Sequence, residues 1–358
     1  MLTKLTTPTL ILALGIGVFE TAATAQGGTT IALLSVQDRA ANTAVAQALD
    51  IALRFELSKS GSLIGPDQTR DTLRRMRIRN GDQTAPERLR ELGQVLGADL
   101  LVTATLHDVT IDQAPQLTAS AMLYSSTTGE LLSGAFEGRS GADGHQILGL
   151  GYVGEIDKLV PVTAANLIEE LMTTTTTGTG SPTATRGSLA GLGVIGVVPF
   201  DGIIEVNATL AANTLTRAVE VTLLRHGARM LSPNRTHEIV RQIQVGKWGS
   251  IASDTRDTLH SQGNADVLLT GTIEWYELGT RGGLANPRVG FAMRLLDAST
   301  GRIVWTGDIE RRGSSRGELF RIGRVYSKGA LATKLLDRLF NDLAKEAPRL
   351  TSTLGDNG

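Results

Sequence analysis

The sequence predicts an α/β protein, α+β-like in layout, built from two tandem repeated domains, each a mixed β-sheet covered by helices. Three observations carry that prediction. The word GADLLVTAT at 97–105 returns as NADVLLTGT at 264–272, an offset of 167 residues (264 against 97). Other strand, helix and turn signals recur around it in the same order. Between the copies lies 173–188 (TTTTTGTGSPTATRGS), a run of Thr, Gly, Ser and Pro with almost nothing to bury, which reads as a linker.

Each copy opens on a short, apolar, β-branched run, 29–36 (TTIALLSV) and 194–200 (VIGVVPF), the composition of a buried strand. A helix follows. Over 43–58, Val45, Leu49, Ala52, Leu53 and Leu57 fall at three- to four-residue spacing; over 209–224, Leu215, Ala218, Val219, Val221 and Leu224 do so less regularly. Gly61 and Gly227 are placed to end these helices in the left-handed conformation. Residues 60–66 and 226–233 then read as a short strand with a polar turn. Helices at Pro86–Leu96 and 251–261 lead into the repeated word, where Asp99 and Asp266 are equivalent acids.

The strand pairs 119–124 with 131–136 and 290–296 with 303–309 turn at Gly129 and Gly301, each after a threonine, as hairpin corners do. A terminal helix closes each copy, at 158–172 and 328–344. The expected divisions are therefore 26–172, the linker 173–188, 189–345 and a flexible tail at 346–358. Residues 1–25 read as a signal peptide: Lys4, a ten-residue apolar stretch at 10–19, and Ala23-Thr24-Ala25 before Gln26. Ten residues fall short of the roughly 20 that span a bilayer, so no transmembrane segment is expected after cleavage.

The total of 358 residues suits two domains, and 41% apolar residues suffice for their cores. Cysteine is absent, which excludes disulfides, thiol nucleophiles, thiolate metal sites and a lipidated amino-terminal cysteine. The net charge of -1 hides an asymmetry: residues 26–172 hold 12 bases and 18 acids (-6), residues 190–345 hold 20 and 15 (+5). The excess gathers at Arg311, Arg312, Arg316, Arg321, Arg324 and Lys328, a candidate docking face for an acidic partner, anionic lipid or glycan. Aromatic residues are sparse there, and nucleic acid is not expected. A second candidate interface is 274–288, read as a recognition loop that extends the second hairpin and carries Trp275 and Tyr276.

Catalytic signatures are missing. No histidine pair has zinc-helix spacing, and His107-Asp108 reads as an exposed structural pair. The glycine clusters at 149–154 and 187–196 lack the strand-to-helix order of a nucleotide loop. Asp99 and Asp266 fit turn-fixing acceptors of backbone N–H bonds, and a carboxylate site around them or Asp297 is the weaker reading. No enzyme activity, metal or cofactor is expected.

The strand ending in Pro199-Phe200, Asn213 with the helix leading to Met230, the Ala-Asp step into the repeated strand, and the hairpin LLDASTGRIVW at 295–305 together carry a family resemblance. The chain resembles the exported α/β domains of the TolB amino-terminal domain, the CsgG-like curli secretion component and the outer-membrane activators of penicillin-binding proteins. That resemblance implies a non-enzymatic scaffold or assembly protein of the cell envelope. It would be periplasmic or secreted, peripherally associated with the outer membrane, with envelope proteins, an anionic surface or further copies of itself as partners. A periplasmic small-ligand or glycan-binding module, using the cleft between the halves, is the alternative.

Overall fold

The computed structural model describes residues 28–111, 114–143, 151–176, 188–202, 208–242, 251–281, 284–314 and 324–355. The expected signal peptide, most of the linker, Arg316 and Arg321 lie outside the described residues. The first half runs β1 (Thr30–Leu33), β2 (Gln37–Asp38), α1 (Thr43–Leu57), β3 (Ser62–Leu63), α2 (Pro66–Arg75), α3 (Pro86–Leu96), β4 (Leu100–Thr110), β5 (Gln116–Ser125), β6 (Leu131–Ser140) and α4 (Ile156–Thr176). The second runs β7 (Val194–Val197), β8 (Asp201–Gly202), α5 (Ala208–Arg225), β9 (Arg229–Met230), α6 (Pro233–Gln242), α7 (Ser253–Ser261), β10 (Val267–Arg281), β11 (Leu284–Asp297), β12 (Ile303–Arg312) and α8 (Lys328–Gly355). The two sheets have the same strand order, β3-β1-β4-β5-β6 with β2 on β4, and β9-β7-β10-β11-β12 with β8 on β10. Two copies of one mixed-sheet unit are thus present, as the repeated words predict.

The strands follow their chemistry. β1 and β7 lie parallel to β4 and β10 and are covered on both faces, so they read as apolar runs without alternation. Asn42 caps α1 by accepting from the Val45 N–H at 3.2 Å. Gly129 and Gly301 turn the hairpins at φ 76° and 74°. Gly227 is left-handed as expected, at φ 71°. Gly61 is not; it is glycine because a Cβ would press on the Thr29 carbonyl oxygen.

Four expectations are corrected. The polar turns after Gly65 and Ser232 are helices, α2 and α6, each opening on a proline whose fixed φ suits the first helical turn. α4 runs through Thr176, four residues into the expected linker, and α8 continues to Gly355 through most of the expected tail. The 274–288 extension is no loop: past a bulge at Glu274, β10 and β11 pair as far as Arg281 with Leu284. His107 is buried, not exposed.

The layers set where any site can be. On one face of the first sheet, Val102, Ala104, Leu117, Ala119 and Ala121 pack against Leu49 and Leu53 of α1 and Ala164 and Leu167 of α4. On its other face, Met122, Tyr124 and Phe136 share one core with Val221 of α5 and Leu336 and Phe340 of α8. α5 and α8 also cover Leu269, Phe291, Met293 and Leu295 of their own sheet. The order is α1/α4, first sheet, α5/α8, second sheet. Gly138 of β6 meets the backbone of Gly329 and Ala330 at the start of α8, so the helix lies directly on the strand. A Cβ on Gly134 would lie 3.1 Å from Val221 Cγ2. Among the described residues, no helix is long and apolar enough to cross a membrane.

Candidate functional site

Three places gather chemistry. The first is the seam between the halves. Arg217 on α5 is 5% exposed, Glu220 one turn on is 2%, and Asp82 of the first half is 3%. Arg217 donates to Glu220 Oε2 at 2.9 Å and faces Asp82 Oδ2 at 3.5 Å, while the Thr105 hydroxyl donates to that same Asp82 oxygen. Asn234 of α6 reaches the Tyr124 hydroxyl at 3.4 Å and the Gly81 carbonyl at 3.5 Å. Burial pushes the Asp82 carboxyl up, but Arg217 and Thr105 outweigh it and hold it below the usual range. Burial wins at Glu220, raising it to about 7 against the pull of Arg217. A shared guanidinium cannot fully compensate two buried carboxylates.

His107 sits at a β-bulge of β4 and its Nε2 lies 2.8 Å from the Ser120 hydroxyl. Burial lowers it to about 3, and lowers His237 on α6 to about 4. Both therefore stay neutral in the fold while the unfolded chain takes up protons below about 6.5. Their contribution is complete above that pH and is lost as pH falls toward 4. Glu220 acts in the opposite sense between about 4.5 and 7, and one group is outweighed by two. The denaturant midpoint should therefore drop between pH 6.5 and 4, and His107→Gln should flatten the drop; an unchanged slope in that variant would contradict this assignment.

Among the described residues, the seam leaves little room for a ligand. A cavity of about 170 Å³ at its edge, lined by Gln83, His237, Glu238, Val240 and Arg241, is smaller than the roughly 300–1,000 Å³ of ordinary ligand sites. The open cleft that the alternative reading requires is filled by Tyr124, Phe136 and Phe340.

The second place is the outer face of the second sheet. Register matches Thr270, Thr272, Trp275 and Glu277 with Arg294, Ala292, Gly290 and Arg288, and these with Thr306, Asp308, Glu310 and Arg312. Trp275 and Tyr276 are neighbours on a strand, so they point to opposite faces. Tyr276 packs on the inner core, and Lys328 Nζ lies 5.1 Å from its ring centroid. Trp275 lies outward and half-buried, with Arg288 Cζ 3.3 Å from its ring centroid. Arg288 also pairs with Glu310 at 2.7 Å and Glu277 at 3.8 Å, which fixes the guanidinium over the indole.

The third place is a basic groove of about 500 Å³ between the end of β12 and α8. Arg311, Arg312, Lys334, Arg338 and Lys345 stand around a floor of Val325, Leu331 and Leu335. Of the sequence-predicted cations, Arg311 and Arg312 line it. Arg324 instead donates to the Arg281 carbonyl at 3.4 Å, and Lys328 crosses the seam to pair with Asp108 at 2.7 Å. Lys334, Arg338 and Lys345 were not singled out in the sequence; their signal is the spacing of four and seven residues along one helix face.

The repeated acids hold backbone. Asp99 accepts from the Thr30 N–H at 2.8 Å and Asp266 from the Val194 N–H at 2.7 Å, tying each helix-to-strand turn to the opening strand. Asp297 accepts from the N–H groups of Ser299 and Thr300 at 2.8 and 3.0 Å, bonds that keep it below its usual pKa although burial opposes them. All three carboxylates are engaged in turns.

No protein-family model matches the sequence, and no curated protein shows significant similarity to it. Among solved structures, the PelC dodecamer from Paraburkholderia phytofirmans is similar at 22% identity and TM-score 0.30, over 45% of this chain and 94% of that one. Lipoprotein GNA1162 from Neisseria meningitidis is similar at 21% identity and TM-score 0.29, over 42% and 98%. The LpoB C-terminal domain from Escherichia coli is similar at 16% identity and TM-score 0.25, over 33% and 88%. Each is matched over most of its length by less than half of this chain.

Proposed function

We propose that the protein is an exported, non-enzymatic scaffold of the cell envelope that recruits a protein partner on the outer face of its second sheet. It would work in the periplasm or peripherally at the outer membrane. One observation carries the reading: the same face of the first sheet is covered by α5 and α8, whereas on the second sheet Arg294, Thr306, Asp308 and Glu310 are exposed around Trp275. A half-buried Trp held by an Arg is the kind of anchor that dominates protein interfaces. The resemblance to exported TolB-like, CsgG-like and penicillin-binding-protein-activator domains supports the same role.

Crosslinking in cells followed by mass spectrometry tests it. The wild-type chain should yield reproducible protein partners. Trp275→Ala should lose them, with a binding loss of about 2 kcal/mol or more and an unchanged melting temperature. Partners retained by a folded Trp275→Ala variant would contradict the proposal.

A further inference from the structure

The duplication provides an internal control for the basic groove. From β5 onward, equivalent residues lie 172 apart: Ser125 and Asp297 occupy the same register position (297 − 125 = 172), as do Phe136 and Asp308 (308 − 136 = 172). The loop before the last helix keeps that offset. Gly141 accepts from the Val153 N–H in one copy, and Gly313 from the Val325 N–H in the other. The groove residues Arg312, Lys334, Arg338 and Lys345 therefore correspond to Ser140, Val162, Asn166 and Thr173. Arg311 corresponds to Arg139, which is neutralised by Glu137 at 2.7 Å. The same fold is thus built in the first half without these charges, so packing does not require them in the second.

Two of these cations, Lys334 and Arg338, are also poorly neutralised. Asp342 is the one acid among the described lining residues, and it pairs with Lys345 at 2.6 Å. Lys334 and Arg338 are exposed and form no ion pair with a described residue. Like charges held together in one concavity repel, and the cost is offset when an anion enters. Arg311, on the inner side of the strand end, can present paired N–H donors to phosphate oxygens. The floor is aliphatic, and no aromatic residue is among the described residues that line the groove. The volume of about 500 Å³ is that of a small-ligand site.

We infer that this groove binds the phosphorylated headgroup of an anionic lipid, with phosphate oxygens on the Arg and Lys rim and the apolar root of the lipid on Val325, Leu331 and Leu335. The protein would then rest on an anionic bilayer through α8 and the end of β12. This inference stands apart from the outer-face reading, because Trp275 is no part of the groove.

Vesicle co-sedimentation tests it on the full chain. The protein should bind phosphatidylglycerol-containing vesicles and not phosphatidylcholine vesicles. Lys334→Gln with Arg338→Gln should weaken binding roughly thirtyfold, as two lost surface cations imply. The control pair Arg70→Gln and Arg74→Gln, exposed on α2, should leave binding unchanged. Equal binding to both vesicle types, or an equal loss in the control pair, would overturn the inference. So would inorganic phosphate that binds the protein alone and displaces it from vesicles, which would make the ligand a free anion. Polyglutamate bound through Lys334 and Arg338 in a protein that ignores anionic vesicles would make the partner an acidic polypeptide and overturn it equally.

Discussion

Replacing Arg217 with methionine should cost about 3–5 kcal/mol of stability, because it leaves Asp82 and Glu220 buried without their cation. The size of the loss should depend on pH. Without Arg217 the folded state holds its protons on these carboxyls to higher pH than the unfolded chain does. Stability of the variant relative to the wild type should therefore fall as pH rises from 5.5 to 8. Denaturant titration at both pH values measures it. A loss under about 1 kcal/mol, or a loss that shrinks with rising pH, would show that the guanidinium does not bridge the two halves as described. Replacing Arg217, Asp82 and Glu220 together with apolar residues of similar volume should recover much of the loss, since a buried ionic group often stabilises no more than good packing does.

The second large effect is steric. Gly138→Leu places a side chain where the backbone of Gly329 and Ala330 now lies, and the start of α8 must lift from β6. Overpacking of this kind costs about 3 kcal/mol, and the cost is highest when backbone has to move. The matched position in the second sheet is Glu310, where no described helix rests on the strand. Glu310→Leu should therefore change stability by under about 1 kcal/mol, the value of its exposed pair with Arg288. Thermal unfolding of the two variants should separate them clearly. Equal costs would contradict the asymmetry between the sheets.

Much of the fold is legible in the sequence, because buried parallel strands and amphipathic helices carry strong local patterns. The repeated word locates β4 and β10, and Pro86–Leu96 coincides with α3 residue for residue. The helices α2 and α6 are hidden because PDQTRDTLRR and PNRTHEIVRQ are short and polar; only their opening prolines announce them. Trp275 and Tyr276 are visible as a pair, but their separation onto opposite faces depends on strand pairing through Arg281, in a segment rich enough in glycine to read as a loop.

The docking of one copy on the other is legible only with the right alignment. At the offset of 167 that fits β4 and β10, the hairpins do not superpose. At 172, Phe136 falls on Asp308, Met122 on Arg294 and Gly138 on Glu310. Apolar or small residues on one sheet thus meet charges on the other, which marks one face as covered and its twin as open. Arg217 and Asp82 gave no such signal, since a single arginine on a helix ordinarily points to water. The groove was half legible: Arg311 and Arg312 stood out as a run, while the α8 cations were spread among the apolar residues of an amphipathic helix.

The central claim is that the two copies form one stack, with α5 and α8 lying between both sheets. Cutting the chain tests this most directly. A protease site inserted between residues 181 and 182 and cleaved in the folded protein should leave the two pieces bound, co-eluting on size exclusion as one species of unchanged hydrodynamic radius. Two separately eluting, folded halves would contradict the stack.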